Sequence, residues 1–419
     1  MNDPNNDPFD DESSGRPQDP FGSMFGGMFG SMFGDMFKAF GQGPIHWDTA
    51  RQIAASTATA GKPEANVDPL ARIELSNMSR IVIPHLHEVT GFGDLAQMAT
   101  WEPMPVTVGT WANRTLEDYK PLFIDLATAL QPGDAATFGS DFDSGEPESS
   151  DPFGSLFANI TGMIAPMTMG MTIGSMVGLL ARRSLGQYDL PLPRPAGREF
   201  MIVPHSIDAF AEEWNLEIRE VRMWTVIREL VIHQLFDVES IRSAVLDLVR
   251  RFIGAFRPDP RAITDKLSSI EVSDPADVMQ SLQRILGDPE LLLGAVRSPE
   301  QDSIQPELDS LLGLVLGWSD FMTDQVSTRI LGNTTRIAEA VRRRRIESGD
   351  ETAFVERLLG LHLNRRQVER GRQFVTGVVE RAGTEGLRPL YHDRSSLPTP
   401  SELDAPGLWL ARLEITGGA

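Results

Sequence analysis

The sequence predicts a mainly helical protein, with at most a small sheet. Apolar residues recur at helical spacing through most of the chain, whereas segments with the alternation typical of β-strands are few and short. Helical periodicity runs through residues 70–89, 116–130 and 217–255, and a later helix is expected at 303–348. The chain has 419 residues, of which 41% are hydrophobic, enough to bury a substantial core. We therefore expect a mainly α fold, α+β at most.

Charge and cysteine content exclude several classes of function. The chain has 38 Lys and Arg against 59 Asp and Glu, a formal net charge of -21, which repels nucleic acids and anionic membrane surfaces. It has no cysteine, so disulfides, thiolate nucleophiles and cysteine-ligated metals are excluded. The acidic, proline-containing first residues do not resemble a secretory signal. We expect a cytoplasmic protein with no nucleic-acid partner.

Residues 1–43 form a low-complexity tail. Within it, FGSMFGGMFGSMFGDMF places Phe and Met at four-residue intervals, which would line one side of a helix. A glycine in every repeat opposes that helix, by about 1 kcal/mol relative to alanine. We expect a disordered tail. The alternative is a segment that folds on a hydrophobic protein partner, because Phe and Met suit such grooves.

Composition divides the rest of the chain into three parts. Residues 44–133 form an N-terminal helical region that opens with a helix capped by Asp48. Residues 134–152 are an acidic, Gly/Ser-rich flexible loop. Residues 153–415 form the larger helical domain.

Residues 153–181 contain no charged residue, so a membrane helix is one interpretation. Asn159, Pro166 and the many Gly and Thr lower the hydropathy of the segment. The four-residue spacing from Gly170 to Gly178 also allows a neighbouring helix to approach closely. We therefore expect a buried helix and no membrane span.

Five segments, in this order, resemble the zincin-like metallopeptidase family of actinobacteria, whose members are described as zinc-dependent metalloproteases. They are IHWDTARQIA, GMTIGSMVGLLARRSLGQYDLPLP, REVRMWTVIRELVIHQLF, LLGLVLGWSDFMTDQV and LPTPSELDAPGLWLARL. Together they extend over most of residues 45–413. The resemblance implies a zincin-like metallopeptidase fold and hydrolase chemistry.

The resemblance also implies a site built from His-Glu-x-x-His on one helix and a carboxylate from a later helix. Two His four residues apart share a helix face and can bind one Zn²⁺, while the Glu polarises the metal-bound water. In this register Arg228 and Ile232 occupy the His positions, and Leu316 occupies that of the third ligand. Glu229, at the general-base position, is the single element of the motif that the chain retains.

The degenerate ligand positions predict a pseudoenzyme. A guanidinium is permanently protonated, and Ile and Leu have no donor atoms, so Arg228, Ile232 and Leu316 cannot bind zinc. We expect no cofactor and a role in binding or assembly. Arg228 could form a buried ion pair with Glu229 or with Asp320 on the later helix, replacing the metal as the link between the helices. Alternatively, Arg228 reaches solvent through a vacant cleft.

The rival prediction is an active metallo-hydrolase with a non-standard zinc site. Glu229, His233 and Asp237 follow one another at four-residue intervals and form one ridge that could hold a metal. That ridge is rotated by about 100° from the face that the family motif uses. We expect His233 to be a packing or surface residue instead.

Overall fold

The computed structural model describes residues 43–130, 152–257, 298–346, 356–361 and 365–417. Nearly all of the predicted tail and of the acidic loop lies outside these residues. The helices of the described part, in chain order, are α1 (Trp47–Ala58), α2 (Pro69–Thr90), α3 (Leu95–Met98), α4 (Val108–Asp118), α5 (Lys120–Ala129), α6 (Pro152–Arg183), α7 (Pro204–Glu213), α8 (Ile218–Asp237), α9 (Glu239–Gly254), α10 (Pro299–Leu331), α11 (Thr335–Ile346), α12 (Arg365–Ala382), α13 (Pro400–Asp404) and α14 (Pro406–Gly417).

One small sheet accompanies the helices, as the sequence predicts. Strands β1 (Glu102–Pro105) and β2 (Glu199–Ile202) pair in parallel, with Pro103 opposite Phe200. The pairing joins two segments that lie on either side of the acidic loop. A continuous hydrophobic core extends through both, from Ile45 to Trp409. The prediction of a mainly helical fold with a small sheet is confirmed.

Helices α1 and α6 pack side by side with almost no space between their backbones. A Cβ added at Gly170, Gly174 or Gly178 would lie within 2.7 Å of atoms of α1 or of the residue that caps it. The order of these contacts shows that the two helices run parallel. The glycine spacing therefore serves close helix packing, and no helix of the described residues is long and apolar enough to cross a membrane.

Two predicted helix limits are wrong, and the periodic stretch 217–255 contains a break. His46 caps α1 through its Nδ1, which accepts from the Thr49 amide, whereas Asp48 lies inside the first turn. The stretch 217–255 is two helices, because Val238 adopts an extended conformation between α8 and α9. The stretch 303–348 is likewise divided, at Gly332, whose φ is +79°. Periodicity continued through both breaks because the helices on either side face one core.

Candidate functional site

Helix α8 carries the retained Glu229 and passes through the middle of the core. It contains neither Gly nor Pro, and every residue from Trp224 to Phe236 is buried. Helices α2, α7 and α10 and strand β2 pack around it. Any charged side chain in the middle of α8 must therefore find its partners within the protein.

Arg228 and Glu229 form a buried ion pair. Arg228 Nη1 donates to Glu229 Oε1 at 2.8 Å, and both side chains are buried. The second oxygen, Oε2, accepts from the backbone N–H of Tyr188 at 2.8 Å. Arg228 Nη2 in turn donates to the Tyr188 carbonyl at 3.3 Å. The predicted pairing of Arg228 with Glu229 is confirmed, and both carboxylate oxygens are engaged.

The predicted link to α10 is wrong. Asp320 on α10 forms an ion pair with Arg342 of α11, with Nε and Oδ2 3.9 Å apart. Arg228 instead connects α8 to the segment after α6, through the Tyr188 carbonyl and through Asp189, whose Oδ1 is 3.9 Å from Nη1. The ion pair therefore fixes this segment against α8.

The segment that covers Glu229 comes close because it contains a glycine. A Cβ at Gly186 would lie 2.4 Å from Cδ of Glu229, so no other residue fits without movement. The Gly186 carbonyl accepts from Trp111 Nε1 at 2.8 Å, and its N–H donates to Asp189 Oδ2 at 3.0 Å. The quoted motif GQYDLPLP thus seals the carboxylate from solvent.

Burial and the charge of Arg228 shift the pKa of Glu229 in opposite directions. Burial is the main cause that raises the pKa of Glu229, the nearby Asp189 also raises it, and the net value is about 7. The Arg228 guanidinium and the Tyr188 N–H act in the opposite direction, because both stabilise the ionised form. The carboxyl group therefore titrates near neutral pH.

His233, one turn further along α8, is fully hydrogen-bonded. Its Nε2 lies 3.1 Å from the Gly197 carbonyl, which can only accept, so we assign the proton to Nε2. Its Nδ1 then accepts from the Tyr188 hydroxyl at 2.9 Å. Burial lowers the pKa of His233 to about 4, so the ring is neutral at pH 7. In this arrangement neither nitrogen has a lone pair available for a metal.

The ridge of Glu229, His233 and Asp237 does not form a metal-binding group. Asp237 is exposed and accepts from Gln97 Nε2 at 3.0 Å, whereas Glu229 is sealed beneath the Tyr188 segment. Among the residues that the structure describes, no three His, Asp or Glu side chains are placed to hold a metal ion.

The other two inferred ligand positions lie in the apolar core. Ile232 on α8 and Leu316 on α10 are both buried, at the interface between these helices and their neighbours. Gly317, next to Leu316, lies directly against α12, since a Cβ there would be 2.2 Å from the backbone of Gly371. Neither Ile nor Leu can donate to zinc, so the residues present do not fit the metal that the family motif holds.

Helix α11 packs over the space between α8 and α10. A cavity of about 10 Å³ is left between Trp224, Asp320 and Arg342, enough for about one water molecule. Arg342 also donates to Asp324 of α10 at 3.0 Å, which fixes α11 against α10. A larger concavity, of about 470 Å³, lies elsewhere, between α12 and the last two helices.

The sequence profile of the zincin-like metallopeptidases matches residues 45–410. The chain belongs to the zincin-like metallopeptidase family. The structure of this zincin-like chain is also similar to the crystal structure of a Chloroflexus aurantiacus protein, provisionally described as a hydrolase with a novel fold. That similarity has a TM-score of 0.58 at 18% identity and covers 88% of this chain and 99% of the other. At this identity the similarity concerns the fold. No curated protein matches the zincin-like chain.

Sequence reasoning missed the segment that covers the ion pair, in which the Tyr188 N–H donates to Glu229 and Asp189 pairs with Arg228. Tyr188 and Asp189 lie some 40 positions before Glu229 in the chain, and no local pattern links them to α8. The available signal was the position of this segment, which follows a long helix and belongs to one of the stretches that resemble the family. The segment also contains a glycine, Gly186. Such a glycine can indicate close backbone approach.

Proposed function

We propose that this zincin-like protein is a pseudo-metallopeptidase, which acts through binding or assembly rather than peptide hydrolysis. The observation that carries the proposal is the Arg228 guanidinium bonded to the Glu229 carboxylate. In the register that the family motif suggests, a permanent cation takes the place of the first zinc-binding His. A cation there repels Zn²⁺ and has no lone pair to donate.

The surroundings of Glu229 support the same function. A general base must contact the water that it polarises, either directly or within hydrogen-bond reach. Both oxygens of Glu229 are already engaged, by Arg228 and by the Tyr188 N–H, and the side chain has no exposed surface. The small cavity between α8, α10 and α11 is lined by Trp224, Asp320 and Arg342 rather than by Glu229, and it admits about one water molecule and no peptide. Binding on the outer surface is compatible with this closed interior.

The alternative function is an active hydrolase with a non-standard site around Glu229 and His233. One observation favours it, since a carboxyl pKa near 7 suits a general base. Two observations disfavour it: His233 offers no lone pair once it is bonded to Tyr188 and Gly197, and the side chains of Glu229 and His233 are both buried.

Restoring the motif tests the proposal. We expect the triple variant Arg228→His, Ile232→His and Leu316→Glu to bind about one Zn²⁺ in equilibrium dialysis, while the wild type binds none. The matched control is the double variant that keeps Leu316, which should bind zinc more weakly because it lacks the third ligand.

Two results would count against the proposal. A folded triple variant without zinc affinity would contradict the assignment of these three positions to the metal site. Chelator-sensitive peptide hydrolysis by the wild type, lost in Glu229→Gln, would establish the alternative.

A further inference from the structure

Helix α6 extends well beyond its contact with α1. It begins at Pro152, whereas the residue that caps α1 meets it at Pro166, whose carbonyl accepts from the His46 N–H at 2.9 Å. Pro166 lies 14 positions after Pro152, which corresponds to about 21 Å of helix. The N-terminal half of α6 therefore continues past the point where the chain enters α1.

The chain reaches α1 from the direction of this N-terminal half. His46 lies beside Gly170 of α6, and further along Ala54 lies beside Gly178. The two helices therefore run parallel, and the residues before His46 come from the side on which α6 begins. Gly43, the first described residue, is exposed, and 42 residues of tail precede it. The connectivity of the chain thus brings the tail to the N-terminal half of α6.

Two apolar side chains of α6 are exposed where the described chain begins. Met167 is exposed at 44% and Met171 at 37%. Helical spacing extends their face towards the helix N-terminus through positions 163, 160 and 156, which are Met, Ile and Leu. No residue from 153 to 181 carries a charge. A segment that fits this face is therefore apolar.

The tail repeat and the start of α6 have almost the same sequence. Residues 19–25 are DPFGSMF and residues 151–157 are DPFGSLF, identical at six of seven positions. In α6 this sequence is helical from Pro152 onward, although the helix contains five glycines. Packing against neighbouring helices offsets the helix-breaking tendency of glycine. The tail repeat can form a helix in the same way when it packs against a partner.

We propose that the Phe/Met repeat, residues 21–37, docks as a helix along this face of α6, parallel to α6 and on the side from which α1 follows. Phe and Met recur in the repeat as adjacent pairs every four residues, so one side of the helix is apolar. Its 17 residues form a helix about 26 Å long, comparable to the ~21 Å between Pro152 and Pro166. The hydrophobic partner that the repeat indicates is thus α6 of the same chain.

Docking on this face leaves the core unchanged. The buried hydrophobic residues that the structure describes on α6 begin at Ile173. A helix docked before that point opens locally and contributes little to global unfolding. Docking is therefore measured by proximity and by local protection rather than by the melting temperature.

Cross-linking of the full chain tests the proposal, because the chain has no native cysteine. Met24→Cys is paired with Leu156→Cys or with Met167→Cys, and each double variant is treated with a short bismaleimide at low protein concentration. A docked parallel helix holds position 24 near position 156, so we expect at least about fivefold more intramolecular product for that pair. A free tail anchored at Gly43 spreads over about 24 Å and would reach position 167 at least as often.

Two pairs of substitutions separate docking from chance proximity. Phe29→Asp with Phe33→Asp should abolish the preference for position 156, because it places two charges on the apolar side of the helix. The matched control, Ser23→Asp with Ser31→Asp, adds the same charge to the other side of the helix and should retain the preference.

Hydrogen exchange of the full chain gives an independent measurement. The amides of residues 153–165 should exchange at least about tenfold faster in the variant with Phe29→Asp and Phe33→Asp than in the wild type. The amides of residues 173–183, which pack against α1 and the core, should exchange equally in both proteins.

Equal or greater cross-linking to position 167 would overturn the proposal, as would equal exchange of residues 153–165 in the two proteins. Cross-linked dimers without an intramolecular product would assign the tail to a second copy of the chain, and they would also overturn docking within one chain.

Discussion

Glu229 and His233 should give the folded protein two opposite pH dependences. Burial raises the pKa of Glu229 from its ordinary value of 4.5 to about 7, so the folded state holds this proton more tightly than the unfolded chain does. The free energy of unfolding therefore falls as pH rises through this window. Burial lowers the pKa of His233 from 6.5 to about 4, so there the unfolded chain holds the proton more tightly. Its contribution makes the free energy of unfolding rise with pH.

Both contributions have a similar size. A difference of one pKa unit between folded and unfolded states changes the free energy of unfolding by about 1.4 kcal/mol. The pKa of Glu229 rises from 4.5 to about 7 and that of His233 falls from 6.5 to about 4, so each group changes the free energy of unfolding by about 3 kcal/mol across its window, with opposite signs. The two windows overlap between about pH 4.5 and 6.5. In this range the wild-type free energy of unfolding falls with pH because of Glu229 and rises by a similar amount because of His233, so the two pH dependences nearly cancel.

Single variants should reveal each contribution separately. Urea unfolding of wild type, Glu229→Gln and His233→Gln is measured from pH 4 to pH 8, and the difference between each variant and the wild type is plotted against pH. We expect the Glu229→Gln difference to become more favourable by about 3 kcal/mol between pH 4.5 and 7. The His233→Gln difference should become less favourable by a similar amount between pH 4 and 6.5.

The variant-minus-wild-type difference in the free energy of unfolding cancels the titration of the surface carboxylates, which is common to both proteins. A destabilisation that is the same at every pH shifts this difference but does not change its slope against pH. A flat difference for Glu229→Gln would refute the reasoning, because it would mean that Arg228 holds the pKa of Glu229 at its ordinary value. A difference that falls with pH would mean that ion pairing outweighs burial.

Three other perturbations test the packing around the ion pair and the role of the tail. Arg228→Met should lower the free energy of unfolding by about 3–5 kcal/mol at pH 8 and by less at pH 5, where Glu229 is protonated; an equal loss at both would contradict the ion pair. Gly186→Ala should cost about 1–3 kcal/mol because its Cβ meets Glu229, while Gly254→Ala, with nothing within 4 Å, is the control. Deleting residues 1–43 should leave the melting temperature nearly unchanged, and a large fall would show that the tail packs on the core.

Local patterns predicted the features of the fold that depend on local chemistry. The charge-free stretch with Gly170, Gly174 and Gly178 indicated a closely packed helix, because only glycine allows two backbones to approach so closely. The identity of the partner, α1, could not be read from the sequence. The partner is determined by the tertiary packing of helices that are distant in the chain, and no local pattern encodes that packing.

The site was partly predictable for a similar reason. Arg228 and Glu229 are adjacent and opposite in charge, so their pairing was one of the alternatives that the sequence offered. The choice between Asp320 and the Tyr188 segment as the further contact depended on tertiary packing. Asp320 was close enough in the family fold to be a candidate, but Arg342 of the next helix is bound to it.

The most direct test of a degenerate metal site is the zinc content of the purified wild-type chain. Elemental analysis after growth with added zinc and removal of loosely bound metal gives the number of zinc ions per chain. We expect less than about 0.1 zinc per chain, because positions 228, 232 and 316 offer no donor atom. A content of about one zinc per chain, released by a chelator together with a peptidase activity, would contradict the account.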